Sequence, residues 1–157
     1  MKPRELIATA GVLVASNDGN PTTASLCRAV SSGYYALFHQ LAENCADLMI
    51  GNGPLVSGSP AWRRFYRAFE HGHARVQCKQ HLEIANFSAQ VRAFATLFVD
   101  MQAKRHYADY DPDAIFHKSD VAADLVAIAD VVAAFETAHS AERRAFCAFV
   151  LLRDRKS

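Results

Sequence analysis

Thr22-Thr-Ala-Ser-Leu-Cys-Arg-Ala-Val-Ser-Ser-Gly-Tyr-Tyr-Ala-Leu-Phe-His-Gln-Leu-Ala-Glu-Asn-Cys-Ala-Asp-Leu-Met-Ile50 is the stretch on which the fold turns. Leu26, Val30, Tyr34, Leu37, Leu41, Cys45 and Leu48 recur at spacings of three and four, which is one face of a helix. Tyr35, Phe38, Ala42, Cys45 and Met49 form an adjoining stripe. A helix apolar over so wide an arc sits at the centre of a bundle, not on its surface. Gly33, beside Ser31 and Ser32, leaves space for a close neighbour.

The same period runs outward from this segment. The five prolines (Pro3, Pro21, Pro54, Pro60, Pro112) stand at helix starts or in loops, where a missing N–H costs least. A first helix is expected over residues 4–16, closed by the turn-forming Asn17-Asp-Gly-Asn-Pro21. A third helix follows the 51–60 loop, with Ser59 as its cap and Pro60 in its first turn, and extends to about residue 80. A fourth, residues 82–110, carries the stripe Ile84, Phe87, Val91, Phe94, Phe98, Met101 and stops at Asp111-Pro112. A fifth, capped by Ser119, has Val121, Leu125, Ile128, Val132 and Phe135 on one side, and a sixth ends near residue 153. The expectation is one all-α domain over residues 1–157, an up-and-down antiparallel bundle of five to six helices.

Composition narrows the function classes. Apolar residues make up 51% and charged residues 21%, which excludes a disordered chain. A net charge of +1 neither attracts nor repels nucleic acid, so any such surface must be a local cluster. Residues 6–15 follow Lys2 and Arg4 in the outline of a secretion signal. Glu5 in the basic flank, and Thr9 and Gly11 in the apolar run, fit an ordinary first helix better. No continuous apolar run reaches the ~18 to 20 residues of a membrane span. Cys27, Cys45, Cys78 and Cys147 form no C-x-x-C pair, so they are read as buried free thiols of a cytoplasmic protein, with disulfides as the alternative.

The fourth helix ends in Lys104-Arg-His-Tyr-Ala-Asp-Tyr-Asp111. Continued beyond Met101, the apolar stripe places Arg105 on the face that buries Phe94 and Phe98. Asp109 lies one turn later on nearly the same side. A guanidinium at that rim needs a partner, since breaking a buried pair costs about 3–5 kcal/mol. Asp109 is the local one, and Tyr110 adds a ring with a hydroxyl to place. The plain structural alternative is an ion pair that closes the end of the bundle.

Taken in order, Arg28-Ala-Val-Ser-Ser-Gly-Tyr-Tyr-Ala-Leu-Phe-His39 and then Arg105-His-Tyr-Ala-Asp-Tyr110 resemble the HEPN family, the higher-eukaryote and prokaryote nucleotide-binding domains. The resemblance covers most of the chain. It implies an up-and-down bundle that pairs as a homodimer, and association with RNA, a nucleotide, an antitoxin or a partner nucleotidyltransferase. Catalytic members resemble metal-independent ribonucleases that follow an arginine with a histidine a turn or so later. The imidazole moves the 2′-hydroxyl proton and the arginine steadies charge growing on phosphate. Arg105 matches the arginine, but Asp109 and Tyr110 occupy the histidine's region, and His106 projects about 100° away. The expected role is therefore a binding or regulatory module built on Arg105, Asp109 and Tyr110. The alternative is a ribonuclease or toxin that draws its histidine from another helix or subunit.

The segment from Pro60 to Glu83 concentrates positive charge: Arg63, Arg64, Arg67, Arg75 and Lys79 against Glu70 and Glu83, with His71, His73 and His81 in addition. Trp62, Phe65, Tyr66 and Phe69 interleave. Such a surface suits a phosphate backbone with unstacked bases, and Arg63, Arg64, Arg67, His71, His73 and Arg75 are its candidate contacts. The competing reading divides the helix into an aromatic core face and a solvated basic face. His71 and His73 project about 200° apart on a helix, so no metal site is expected, and no cofactor motif is present. His39 reads as a hydrogen-bonded interior histidine.

Overall fold

The computed structural model describes residues 1–155, and among them every regular element is a helix. These are α1 (Pro3–Val14), the single turn α2 (Ser16–Gly19), α3 (Thr23–Met49), α4 (Pro60–Arg67), α5 (His71–Cys78), α6 (His81–Ile84), α7 (Ala89–Tyr110), α8 (Lys118–Thr137) and α9 (Ser140–Leu151). The expected central helix is α3. It begins where the Thr22 side chain accepts from Ser25 N, and it packs against α1, α4, α7, α8 and α9. Its broad apolar arc is thus covered within one chain.

Side-chain pairs fix the helix directions. Ser31 meets Asp109 while Tyr34 lies 5.5 Å from Phe98, so α7 runs against α3. Gly33 faces Leu125 and Ile128 while Gln40 reaches Glu136, so α8 runs with α3. Arg4 approaches Glu136 at one end of α8, and Lys118 reaches the Gly19 carbonyl at the other, so α1 opposes α8. Helices α1, α3, α7 and α8 therefore alternate in direction along the chain. A Cβ at Gly33 would stand 2.8 Å from Ile128 Cδ1, so the space left there is filled by α8 side chains. Tyr34, Phe94, Phe98, Phe135 and Phe146 are fully buried at the centre.

The helix count exceeds the expected five to six because two long segments break and the turn α2 is a separate element. The expected 60–80 helix parts at Ala68–Glu70, where Glu70 turns extended, and not at Gly72. The break lets buried Phe69 meet the Phe38 ring edge-on and lets His71 stack on the same ring, at 3.9 Å. The expected 82–110 helix parts before Ser88, whose Oγ accepts from Val91 N while its own N–H donates to Glu142. Ile84 and Phe87 consequently precede α7. Helix α8 starts at Lys118 without a side-chain cap, so Ser119 is not its cap. Between α1 and α3, Asn17 and Asp18 adopt left-handed φ of 54°, which these two residue types tolerate.

Two of the four cysteines depart from the expectation of free thiols. Cys45 of α3 and Cys147 of α9 are joined in a disulfide, while Cys27 and Cys78 are free. The pairing removes the argument that placed the chain in the cytoplasm on the strength of free thiols. Residues 3–14 form a packed helix with Ala10 and Val14 buried. No helix among the described residues is long and apolar enough to cross a membrane.

Candidate functional site

Helices α3, α5 and α7 meet at one end of the bundle. Arg105 Nε lies 3.6 Å from Asp109 Oδ2, across one turn of α7. The Arg105 side chain is only 12% exposed and its Nε has no hydrogen-bond partner, so the contact is electrostatic and too long for a hydrogen bond. Asp109 is engaged from the other side by the Ser31 hydroxyl, which donates to it. The guanidinium is surrounded by aromatic faces instead. Its carbon lies 5.4 Å from the centre of the Tyr34 ring, 5.6 Å from Tyr35 and 5.9 Å from Tyr110, within cation–π range. Tyr110 itself is largely exposed.

The first residue of α5 enters the same group. His71 Nδ1 is 2.5 Å from Tyr34 Oη. Its ring stacks on Phe38 and lies edge-on to Tyr35 at 5.9 Å. Arg105 and His71 therefore share the two neighbouring tyrosines. Burial, then the Arg105 charge, then His39 push the His71 pKa below its ordinary value, so the imidazole is neutral near pH 7. Burial raises the Tyr34 phenol, only partly offset by Arg105, so it stays protonated. In the tautomer with the proton on Nδ1, donated to Tyr34 Oη, Nε2 is free as a base; in the other, the Tyr34 hydroxyl donates to Nδ1 and the ring proton sits on Nε2.

The other expected contacts do not form one surface. Arg63, Arg64 and Arg67 are exposed on α4 and line a groove of about 600 Å³ with Pro60 and Ala68. The aromatic residues do not interleave with them. Trp62 donates to Asp47 and stacks on Tyr66, and Tyr66 bonds His39, all against α3. His73 turns away from His71 to the Leu152 carbonyl, at 3.0 Å. Arg75 faces α7 and lines a separate groove with Gln102, Arg105 and His106. His39 is hydrogen-bonded to Tyr66, as expected, but half-buried and not interior, and burial lowers its pKa. No group of three His, Cys, Asp or Glu among the described residues is placed to hold a metal ion.

The sequence places Tyr34, Tyr35 and Ser31 on the packing faces of α3 and does not point to them as contacts of Arg105, His71 and Asp109. Gln102 carried no signal at all. Comparison with protein-family models, with curated proteins and with solved structures finds no match.

Proposed function

We propose that this chain is a HEPN-like bundle that binds RNA at the α3–α5–α7 end and cleaves it without a metal ion. The observation behind this reading is the half-buried, neutral imidazole of His71 packed on the same tyrosine pair as the Arg105 guanidinium. In the tautomer with its proton on Nδ1, His71 Nε2 takes the proton from a ribose 2′-hydroxyl, the 2′-oxygen bonds to phosphorus, and the 5′-oxygen leaves and takes a proton from water. Arg105 steadies the charge on the phosphoryl oxygens. The His71–Tyr34 contact holds the ring in orientation, as a buried partner does for other catalytic histidines. The departure from the family pattern is one of origin: the histidine comes from α5 and not from the turn after Arg105.

The Arg105–Asp109 pair favours a second reading, a binding module without cleavage, because the carboxylate offsets part of the charge that phosphate would meet. Incubating end-labelled single-stranded and hairpin RNA with the protein in a chelator separates the two. Cleavage that leaves a 2′,3′-cyclic phosphate, and that falls about 100-fold or more in His71→Asn and Arg105→Lys, is the expected result. Retention of RNA without cleavage supports the binding module. Cleavage that His71→Asn leaves unchanged overturns the assignment of the base.

A further inference from the structure

Helix α4 packs chiefly on α3, and none of its own residues is buried. Its side-chain anchors are few. The Trp62 indole donates to Asp47 at 2.8 Å, the Tyr66 hydroxyl bonds His39 Nδ1, and Phe69, just past the helix end, meets Phe38 edge-on. Of these, the His39 contact is the one that titrates near neutral pH. His39 is half-buried, stacked on Tyr66 at 5.8 Å and tilted toward Tyr35 at 6.3 Å. It lines a cavity of about 270 Å³ with Met1, Arg28 and Tyr35, and no carboxylate among the described residues lines that cavity. The Met1 ammonium acts against a charge on the ring, and His39 and His71 of α5 act against each other. Glu43, one turn later on α3, acts on Tyr66 and feels the charges of Asp47, Lys2 and the same ammonium.

We infer that the His39–Tyr66 contact is an acid-sensitive latch: protonation of His39 frees α4 from α3 while the rest of the bundle stays folded. A neutral ring bonds Tyr66 in either tautomer. Once protonated, both ring nitrogens are donors, so Tyr66 can only accept and its own O–H needs a new partner. The added charge also lies half out of water, beside the Met1 ammonium and with no carboxylate in its cavity. Opening lets His39 reach solvent, where it titrates near the ordinary value of about 6.5. Its closed-state value is lower, so the open form binds more protons. The latch is therefore whole above about pH 6.5 and weakens as pH falls through the closed-state value. Glu43 opposes it, because a carboxyl raised by burial gains a proton more readily in the closed form. Helix α5 is held separately: Ala74 and Cys78 are buried, and Gln77 donates to the Phe149 carbonyl of α9 at 3.0 Å. The extended backbone at Glu70, between the two helices, is the hinge. The latch does not depend on strand cleavage: His39 and Tyr66 have no part in the proposed proton transfer.

Hydrogen–deuterium exchange of the full chain at pH 7.5, 6.5 and 5.5, read by mass spectrometry and corrected for the intrinsic rate at each pH, tests the inference. Amides of α4 should lose protection about fivefold or more between pH 7.5 and 5.5, and at pH 5.5 they should stay about tenfold or more less protected than those of α8. His39→Gln keeps a hydrogen-bonding partner for Tyr66 but takes up no proton. It should hold α4 protection within about twofold across the same range. Glu43→Gln, which removes the opposing carboxyl, should enlarge the acid loss. If His39→Gln fails to fold, ring-proton NMR of the wild-type chain serves: His39 should titrate below about pH 6.5, with the same midpoint as the loss of α4 protection. Protection of α4 that acid leaves unchanged, an equal loss in His39→Gln, a His39 midpoint apart from that of α4, or α4 amides as protected as those of α8 at pH 5.5 would each overturn the inference.

Discussion

Arg105 carries its charge among three tyrosine rings and one carboxylate, and that environment decides what the neighbouring histidine does. A protonated His71 would add a second cation beside a guanidinium that cannot release its proton. Burial and that repulsion both favour the neutral ring. His39 is depressed as well, chiefly by burial. Unfolded, both histidines titrate near the ordinary value of about 6.5. Their folded values lie lower, so the unfolded chain binds more protons in between. The stability they contribute is therefore complete above about pH 6.5 and lost as pH falls through the folded-state values. Glu43, raised by burial and by Asp47, acts in the opposite sense. The clean measurement is thus a difference. Urea unfolding from pH 7.5 to 5.5 should show His71→Phe losing less stability on acidification than wild type. Equal losses would mean that His71 titrates normally in the fold. The Arg105–Asp109 pair was legible in the sequence because both residues share one turn of one helix. The His71–Tyr34 contact was not, because it spans 37 residues and forms only once α3 and α5 pack.

Helix boundaries are set by local hydrogen bonds that periodicity cannot see. The apolar stripe through Ile84, Phe87 and Val91 is continuous in sequence, yet the helix restarts at Ala89 because Ser88 caps it and Glu142 binds Ser88 N. Glu142 comes from α9, 54 residues away, so beyond the Ser88 cap the break is anchored by a tertiary contact that periodicity does not show. The converse error is Ser119, a good capping residue that fell one position inside α8. These two serines give opposite predictions. Ser88→Ala should cost about 1 kcal/mol in chemical denaturation, whereas Ser119→Ala should be neutral within about 0.5 kcal/mol. A larger loss at Ser119 would place the start of α8 elsewhere. The break between α4 and α5 has the same character. It exists because Phe69 and His71 both reach Phe38, and it is what divides the expected basic strip into the Arg63–Arg64–Arg67 groove and the Arg75 groove.

Across the molecule, the broad apolar arc of α3 made the all-helical bundle legible, because a helix apolar on several sides must be surrounded. What the arc could not specify was which helix lies on which side. That required pairings such as Cys45 with Cys147, for which four isolated cysteines allow three pairings when all are joined. The disulfide spans 102 residues and ties α9 to the central helix. Closing so long a loop restricts the unfolded chain, so reduction should lower unfolding free energy by about 2–4 kcal/mol, a large fraction of the ~5–15 kcal/mol total of a domain. Thiol titration of the denatured chain should give two groups before reduction and four after. Four before reduction would remove the staple. The buried thiol of Cys78, its pKa pushed up to about 12, should be the slower of the two free cysteines to alkylate in the native protein.

Trp62, the single tryptophan of the chain, joins α4 to α3 through Asp47 and lies on the Tyr66 ring, which in turn bonds His39. Its fluorescence therefore comes from one known seam and from nowhere else. Detachment of α4 will redden that emission while the bulk of the helical circular dichroism persists, so the two signals together can tell local opening from global unfolding.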